Sequence, residues 1–328
     1  MKTTLTRNLS LELVRATEAA ALMAGRWMGR GQKERADGAA VDAMRELLGS
    51  IEMDGVVVIG EGEKDEAPML YTGERVGRGS EPKVDIAVDP VEGTRLLAQG
   101  MPNSLVVMAV AERGSLYGWQ DIAYMDKIAV GPEAAGVIDI DAPVDVNLKR
   151  VAEAKGADVS DLTVVMLDRP RHEELIRQVR EAGARMKLIM DGDVAGGLLA
   201  AMPGTGIDVM MGVGGSPEAV ITACALKCVG GDMQTRLWPR NEEERRIAEE
   251  RGIDLSKVYG LNDLVQSEDV FFVATGITDG ELLRGVHYFA DGATTHSLVM
   301  RERSGTVRYI ESSHRLSKLR ELAGVSFK

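Results

Sequence analysis

Four times in this chain a short apolar run breaks off into glycine and acidic residues: VVVIGEGEKDE, DIAVDPVEGT, KLIMDGD and DVMMGVGGSPE. Runs of this length, rich in Val and Ile and closed by turn residues, read as buried strands. The first strand, Val56 to Ile59, delivers Glu61, Glu63, Asp65 and Glu66. The second, Ile86 to Val88, delivers Asp89 and Glu92. The third ends on Asp191 and Asp193, and the fourth runs into a helix that begins near Glu218. In α/β proteins the ligand cleft lies beyond the carboxyl ends of the strands. Carboxylates gathered in one cleft repel one another unless a cation stands between them, and hard oxygen ligands suit Mg²⁺ or Mn²⁺.

The remaining segments fit the same class. Helical spacing of apolar residues predicts a first helix from about Leu9 to Met28. A second is expected over Gly38–Leu48, with Asp37 in the N-cap position. Pro90 is expected to stop its strand and Gly93–Thr94 to open a short helix. SLVVMAVAE and AYMDKIAV supply two further strands. From about residue 160, strands and helices alternate: TVVMLD, a helix across His172–Ala182, MKLIMDGD, a helix across Val194–Met202, IDVMMGVGG, and a helix over Pro217–Cys228. Such alternation argues for a layered α/β sandwich. The stretch VDVNLKRVAEAKGADVSD is the best boundary between two halves, 1–158 and 159–328. The tail adds VFFVATGI and a hairpin turning near Ser304–Gly305.

Composition narrows the partners. Asp plus Glu outnumber Lys plus Arg by 51 to 39, a net charge of −12. A nucleic-acid surface needs a basic face, which this balance opposes. No apolar run reaches the ~18 residues of a membrane span. The first residues read as an amphipathic helix rather than a signal peptide. Cys224 and Cys228, one helical turn apart, point to buried thiols in a reducing cytoplasm. The histidines, His172, His287, His296 and His314, show no zinc-type clustering.

Each motif also has a plainer reading. Asp37 alone could be a helix cap, GEGEKDE a solvated turn, Asp-Pro a turn starter, and GVGGSPE either a phosphate cradle or a tight turn. Their joint occurrence at strand ends is what favours chemistry.

DPVEGT resembles the metal-binding DPxDGT element of the lithium-sensitive sugar and inositol phosphatases, with Glu92 for the second Asp. RWMGRGQKERADGAAVDAMR, VVIGEGEKDEAPMLYTGE, DIAVDPVEGT, YMDKIAVGP, RPRH, DGDVA, GVGGSPE and ATGIT follow in order. Together they closely resemble the class II fructose-1,6-bisphosphatases, including the cyanobacterial enzymes that also act on sedoheptulose 1,7-bisphosphate, over residues 9 to 310. The resemblance implies the two-halved sugar-phosphatase (inositol monophosphatase-like) fold, with metals and substrate between the halves. It implies two metals, Mg²⁺ or Mn²⁺: one held by Asp37 and Glu61, a second by Asp89, Glu92 and Glu218. Asp65 and Thr94 match residues that activate the attacking water, and Lys33 a lysine near the reacting phosphate. Glu92, Gly93, Thr94, Tyr124, Arg169, Arg171, Asp191, Asp193 and Gly215 match substrate contacts. Arg169 stands where some members carry Lys, and the segment after GGDMQTRLWPR is shorter than the family pattern. The expected assembly is a homodimer or homotetramer in the cytoplasm. The competing functions are an inositol or other sugar phosphatase of the same superfold and a non-catalytic sugar-phosphate sensor. An acidic Ca²⁺ module leaves Arg169 and Arg171 unexplained.

Overall fold

The computed structural model describes residues 8–61, 70–118 and 122–323, with the backbone alone for 320–323. The chain opens with α1 (Leu9–Ala24), a 3₁₀ turn at Gly25–Trp27 and α2 (Lys33–Ser50). Then come β1 (Asp54–Ile59), β2 (Arg75–Val76), β3 (Lys83–Glu92), α3 (Thr94–Gln99) and β4 (Leu105–Glu112). A second series runs β5 (Tyr124–Val130), α4 (Val144–Lys155), β6 (Thr163–Leu167), α5 (Glu173–Glu181), β7 (Arg185–Ile189), α6 (Asp193–Ala201), β8 (Val209–Gly215), α7 (Ser216–Val229), β9 (Asp232–Leu237), α8 (Glu242–Glu250), β10 (Val258–Gly260) and α9 (Leu261–Leu264). The chain closes with β11 (Phe271–Gly276), β12 (His287–Phe289), β13 (Gly292–Arg301), β14 (Thr306–Arg315) and α10 (Leu316–Ala323).

These elements form two compact units. One comprises residues 1–116 with 267–328, the other 117–266. The break expected near residue 158 therefore falls inside the second unit, and VDVNLKRVAEAK forms α4 there rather than a linker. β4 and β11, which flank the second unit in sequence, are hydrogen-bonded antiparallel neighbours from Phe271↔Val110 to Gly276↔Leu105. The second unit is thus an insertion between two paired strands. Its own ends meet where Tyr117 N donates to Leu264 O (2.9 Å).

In the first unit the described strands run β12-β13-β11-β4-β3-β1-β2, with β14 on β13. β1 and β3 are parallel and β3 and β4 antiparallel. Leu13, Ala16 and Ala20 of α1 and Ala40, Met44 and Leu48 of α2 pack on Val57, Ile86, Val106, Met108 and Val273 in one buried cluster. With aromatics at only 4% of the chain, this core is mainly aliphatic.

In the second unit the order is β10-β9-β5-β8-β6-β7. Strand alternation puts Val164, Met166, Val209 and Met211 against Leu148 and Val151 of α4 and Val179 of α5. The opposite face carries α6, whose Gly196 approaches Val165. A sheet covered on both faces explains why β6 and β8 read as nearly unbroken apolar runs rather than alternating ones. Cys224 and Cys228 are buried free thiols in α7, and burial pushes Cys224 up to about 12. Among the described residues no helix is long and apolar enough to cross a membrane.

Two boundary expectations fail for identifiable reasons. α2 begins at Lys33, not Gly38, because Lys33, Glu34, Arg35 and Ala36 are good helix formers. Asp37 therefore lies inside the helix and is no N-cap. Pro90 does not stop β3, which continues to Glu92. The pairing of β3 with β4 is irregular between Asp89 and Glu92, so the missing Pro90 N–H interrupts no regular ladder.

Candidate active site

The first unit gathers carboxylates around the ends of β1 and β3. Asp37 lies in the second turn of α2, and Glu61 follows β1, its N–H donating to Leu70 O (3.0 Å). Burial first, then the negative charge of Glu61, pushes Asp37 up to about 7. A hydrogen bond with the Thr94 hydroxyl and the charge of Lys33 act the other way. Burial also raises Glu61. Two half-buried carboxylates within each other's field, with the Lys33 ammonium nearby, form a site whose ionised state a bound cation would stabilise. Asp37, Glu61, Thr94 and Lys33 are thereby brought together.

Asp89 caps its own turn, its Oδ1 accepting from Val91 N (2.9 Å). Glu92, 4% exposed, closes β3. The Ser104 hydroxyl donates to Glu92 O (3.2 Å) and the Thr94 hydroxyl to Val91 O (3.0 Å). Gly93 between them adopts φ +80°, a left-handed conformation that glycine takes without the penalty of a Cβ. That kink turns the strand directly into α3. Asp65, Glu63 and Glu66 lie outside the described residues. Among the described residues no three His, Cys, Asp or Glu side chains form a group that could hold a metal ion by themselves.

The second unit gathers the groups expected to contact the sugar phosphate. Tyr124 opens β5 and pairs with Gly215 at the end of β8. The Arg171 guanidinium lies 5.0 Å from the Tyr124 ring centroid, and its Nε and Nη2 donate to Val213 O (3.1 and 2.7 Å). Burial lowers the Arg171 pKa, as does the charge of Arg169, while Tyr124 and Asp193 act the other way. These groups therefore share one neighbourhood. Arg169 Nη1 donates to Asp168 O (2.9 Å), and Arg169 Nη2 is 3.4 Å from Asp191 Oδ1.

The Gly214–Gly215 pair makes this arrangement possible. A Cβ on Gly214 would lie 1.9 Å from Asp193 Oδ2, and one on Gly215 would lie 1.8 Å from Glu218 Oε2. Both carboxylates use the space that a side chain would fill. Glu218 sits in the first turn of α7, where the helix dipole favours an acid.

Three groups here escaped the sequence reading. Lys127, whose side chain is fully buried, donates from Nζ to Asp193 Oδ2 (2.6 Å). A lysine amid the apolar residues of YMDKIAV was the available signal, since a buried ammonium needs a partner. His172 is buried with Nδ1 2.7 Å from Leu167 O, while Val213 N donates to its Nε2 (2.8 Å). This fixes the neutral tautomer, with Nδ1–H the donor. Arg240 stands beside Tyr124, 5.4 Å from the ring centroid. Nothing in its local sequence marked it.

Buried and half-buried acids around strand ends in one unit, with arginines about a tyrosine in the other, are the equipment of a sugar-phosphate phosphatase on a layered α/β fold. The chain belongs to the bacterial, glpX-encoded fructose-1,6-bisphosphatases, whose family pattern matches residues 7–314. It is 48% identical to the D-fructose 1,6-bisphosphatase class 2/sedoheptulose 1,7-bisphosphatase of Synechococcus sp. (strain JA-2-3B'a(2-13)), over 93% of this chain and 95% of that protein. It is 47% identical to fructose-1,6-bisphosphatase 1 class 2 of Escherichia coli K12, over 95% and 96% respectively. Proteins of this family are metal-dependent and act on sugar bisphosphates.

Proposed function

We propose that this chain hydrolyses the 1-phosphate of fructose 1,6-bisphosphate to fructose 6-phosphate and phosphate, with Mg²⁺ or Mn²⁺. The observation that carries the reading is the half-buried pair Asp37 and Glu61, beside Thr94 and Lys33. Oxygen-only, acidic donors of this kind suit Mg²⁺ or Mn²⁺. Asp37 and Glu61 would hold one ion and Asp89 and Glu92 a second, with Glu218 the remaining acid that the resemblance assigns. Such ions supply charge neutralisation of the reacting phosphate and a bound water of lowered pKa.

The chain's own groups do the rest. Thr94 Oγ1 and Asp65 hold and accept the proton of the attacking water. Lys33 offsets charge on the reacting phosphate, so no nucleophilic side chain is required. Arg169 and Arg171 hold the non-reacting phosphate, and Tyr124 packs beside it. Asp191 and Asp193 accept hydrogen bonds from sugar hydroxyls. Gly93 and Gly215 keep the backbone near substrate free of side chains. The likeness to the cyanobacterial dual enzyme adds sedoheptulose 1,7-bisphosphate as a second substrate, and the family resemblance suggests a cytoplasmic homodimer or homotetramer.

Asp89→Asn and Glu218→Gln test the ligand assignments. Each is expected to cut metal-dependent phosphate release by at least about a hundredfold, the scale of losing a catalytic electrostatic contact. Unchanged turnover in both variants would remove these residues from the site. Inositol 1-phosphate, assayed alongside, separates the proposed substrate class from other phosphatases of the superfold.

A further inference from the structure

Arg240 is an exposed arginine directly before α8, and its pairing with Glu244 has the i,i+4 spacing of many surface ion pairs. Three observations set it apart. First, Glu244 is nearly buried, 6% exposed, and doubly engaged: Arg240 N donates to its Oε2 (2.8 Å) and Arg240 Nε to its Oε1 (2.7 Å). Backbone and head group are gripped by one carboxylate, so the guanidinium is held rather than free to sample solvent. Second, both Arg240 and Arg171 are fixed along the Nε–Nη2 edge, by Glu244 Oε1 and Val213 O respectively. In each, Nη1 has no hydrogen bond to a described residue. Third, both cations lie beside the Tyr124 ring, at 5.0 and 5.4 Å from its centroid, with Arg169 in the field of Arg171.

A protein of net charge −12 here sets two guanidiniums, Arg171 and Arg240, beside one tyrosine ring, with Arg169 in the field of Arg171. Glu244 and Asp191 offset part of the charge of Arg240 and Arg169, whereas Arg171 is held by a neutral carbonyl, so positive charge remains beside Tyr124 to attract an anion. A planar fork anchored on one edge and open at the other end is preorganised for a phosphate oxygen. From this geometry we infer that Arg240, positioned by Glu244, is a further substrate-binding residue that contacts the non-reacting phosphate of the sugar bisphosphate alongside Arg169 and Arg171. The inference rests on the substrate class proposed above and adds a specificity contact to that same site.

Two measurements on the full-length protein test it. Fructose 6-phosphate carries only the non-reacting phosphate, so its binding can be followed by calorimetry. Arg240→Ala is expected to weaken it by about tenfold or more, the size of one charge-assisted hydrogen bond, and Arg240→Lys to recover part of that loss. The second measurement is the ratio of kcat/KM for fructose 1,6-bisphosphate to that for fructose 1-phosphate, which lacks the distal phosphate. Arg240→Ala is expected to lower this preference about tenfold, whereas a general structural defect would depress both substrates alike. An unaltered affinity and an unaltered preference in Arg240→Ala, with the wild type active, would overturn the inference alone. A wild type that neither binds fructose 6-phosphate nor turns over either substrate would overturn the proposed function and the inference with it.

Discussion

His172 links the second unit's packing to Arg171 through a single residue, Val213. The imidazole accepts the Val213 N–H, and the Val213 carbonyl holds Arg171. His172→Phe would preserve bulk but orphan that buried N–H. A loss of about 1–3 kcal/mol in urea-unfolding free energy is expected. Burial, reinforced by Arg171 and Arg169, lowers the His172 pKa below the ordinary 6.5, against the opposing effects of the Leu167 carbonyl and Asp126. The folded state therefore favours neutral imidazole. Its contribution is fully present above about pH 6.5 and fades as pH falls through the depressed folded value, because the unfolded chain binds the proton first. Stability measured from pH 7 to pH 5 should decline more steeply in the wild type than in His172→Phe. Parallel slopes would remove His172 from the account.

Gly215 allows a second residue-scale test. Its φ of −64° and ψ of 144° suit any residue, so alanine strains no backbone there. The obstacle is Glu218 Oε2, 1.8 Å from where the Cβ would stand. Gly215→Ala should fold with an unchanged circular dichroism spectrum yet lose about a hundredfold in phosphate release, since displacing a catalytic group by about 1 Å costs that much. Activity near wild type would show that the position of Glu218 does not matter.

Among elements, the seam of β5, β8 and α6 carries the largest expected energetic effect. Lys127 of β5 and Asp193 of α6 form a buried ion pair beneath the site. Lys127→Met leaves the Asp193 charge uncompensated and should cost about 3–5 kcal/mol in unfolding free energy. Adding Asp193→Leu to that variant should restore much of the stability, while sugar-phosphate binding stays impaired. A double variant as unstable as the single would mean that packing, not the charge, sets the cost.

The elements also show what a sequence can reveal about itself. β1, β3, β7 and β8 were legible because apolar runs closed by glycine and acid leave few alternatives. The start of α2 was not, since KERA is both a good helical turn and an ordinary polar loop. The persistence of β3 through Pro90 depends on an irregular stretch of pairing, which only the neighbouring strand defines. For the site, the acids at strand ends and Arg169–Arg171 were visible as local motifs. Lys127 and Arg240 act through partners 66 residues away and across a tyrosine ring, respectively.

For the whole molecule, the decisive fact hidden from local pattern is the pairing of β4 with β11 across the inserted second unit. A change in rhythm near residue 160 suggested two consecutive halves. Long-range strand pairing instead makes the first unit from both ends of the chain. The acids Asp37, Glu61, Asp89 and Glu92 still belong to one unit, and Arg169, Arg171, Asp191, Asp193 and Glu218 to the other. A net charge of −12 would repel a sugar bisphosphate overall, so the proposed turnover would depend on local cations, the metals together with the arginines.

That dependence defines the most direct test. Phosphate release from fructose 1,6-bisphosphate is measured with purified protein in Mg²⁺, in Mn²⁺ and in excess chelator, and the sugar product is identified. The account predicts stoichiometric fructose 6-phosphate and phosphate with metal, and abolition by chelator that added metal reverses. Release that persists undiminished in chelator, or none with either metal, would contradict it.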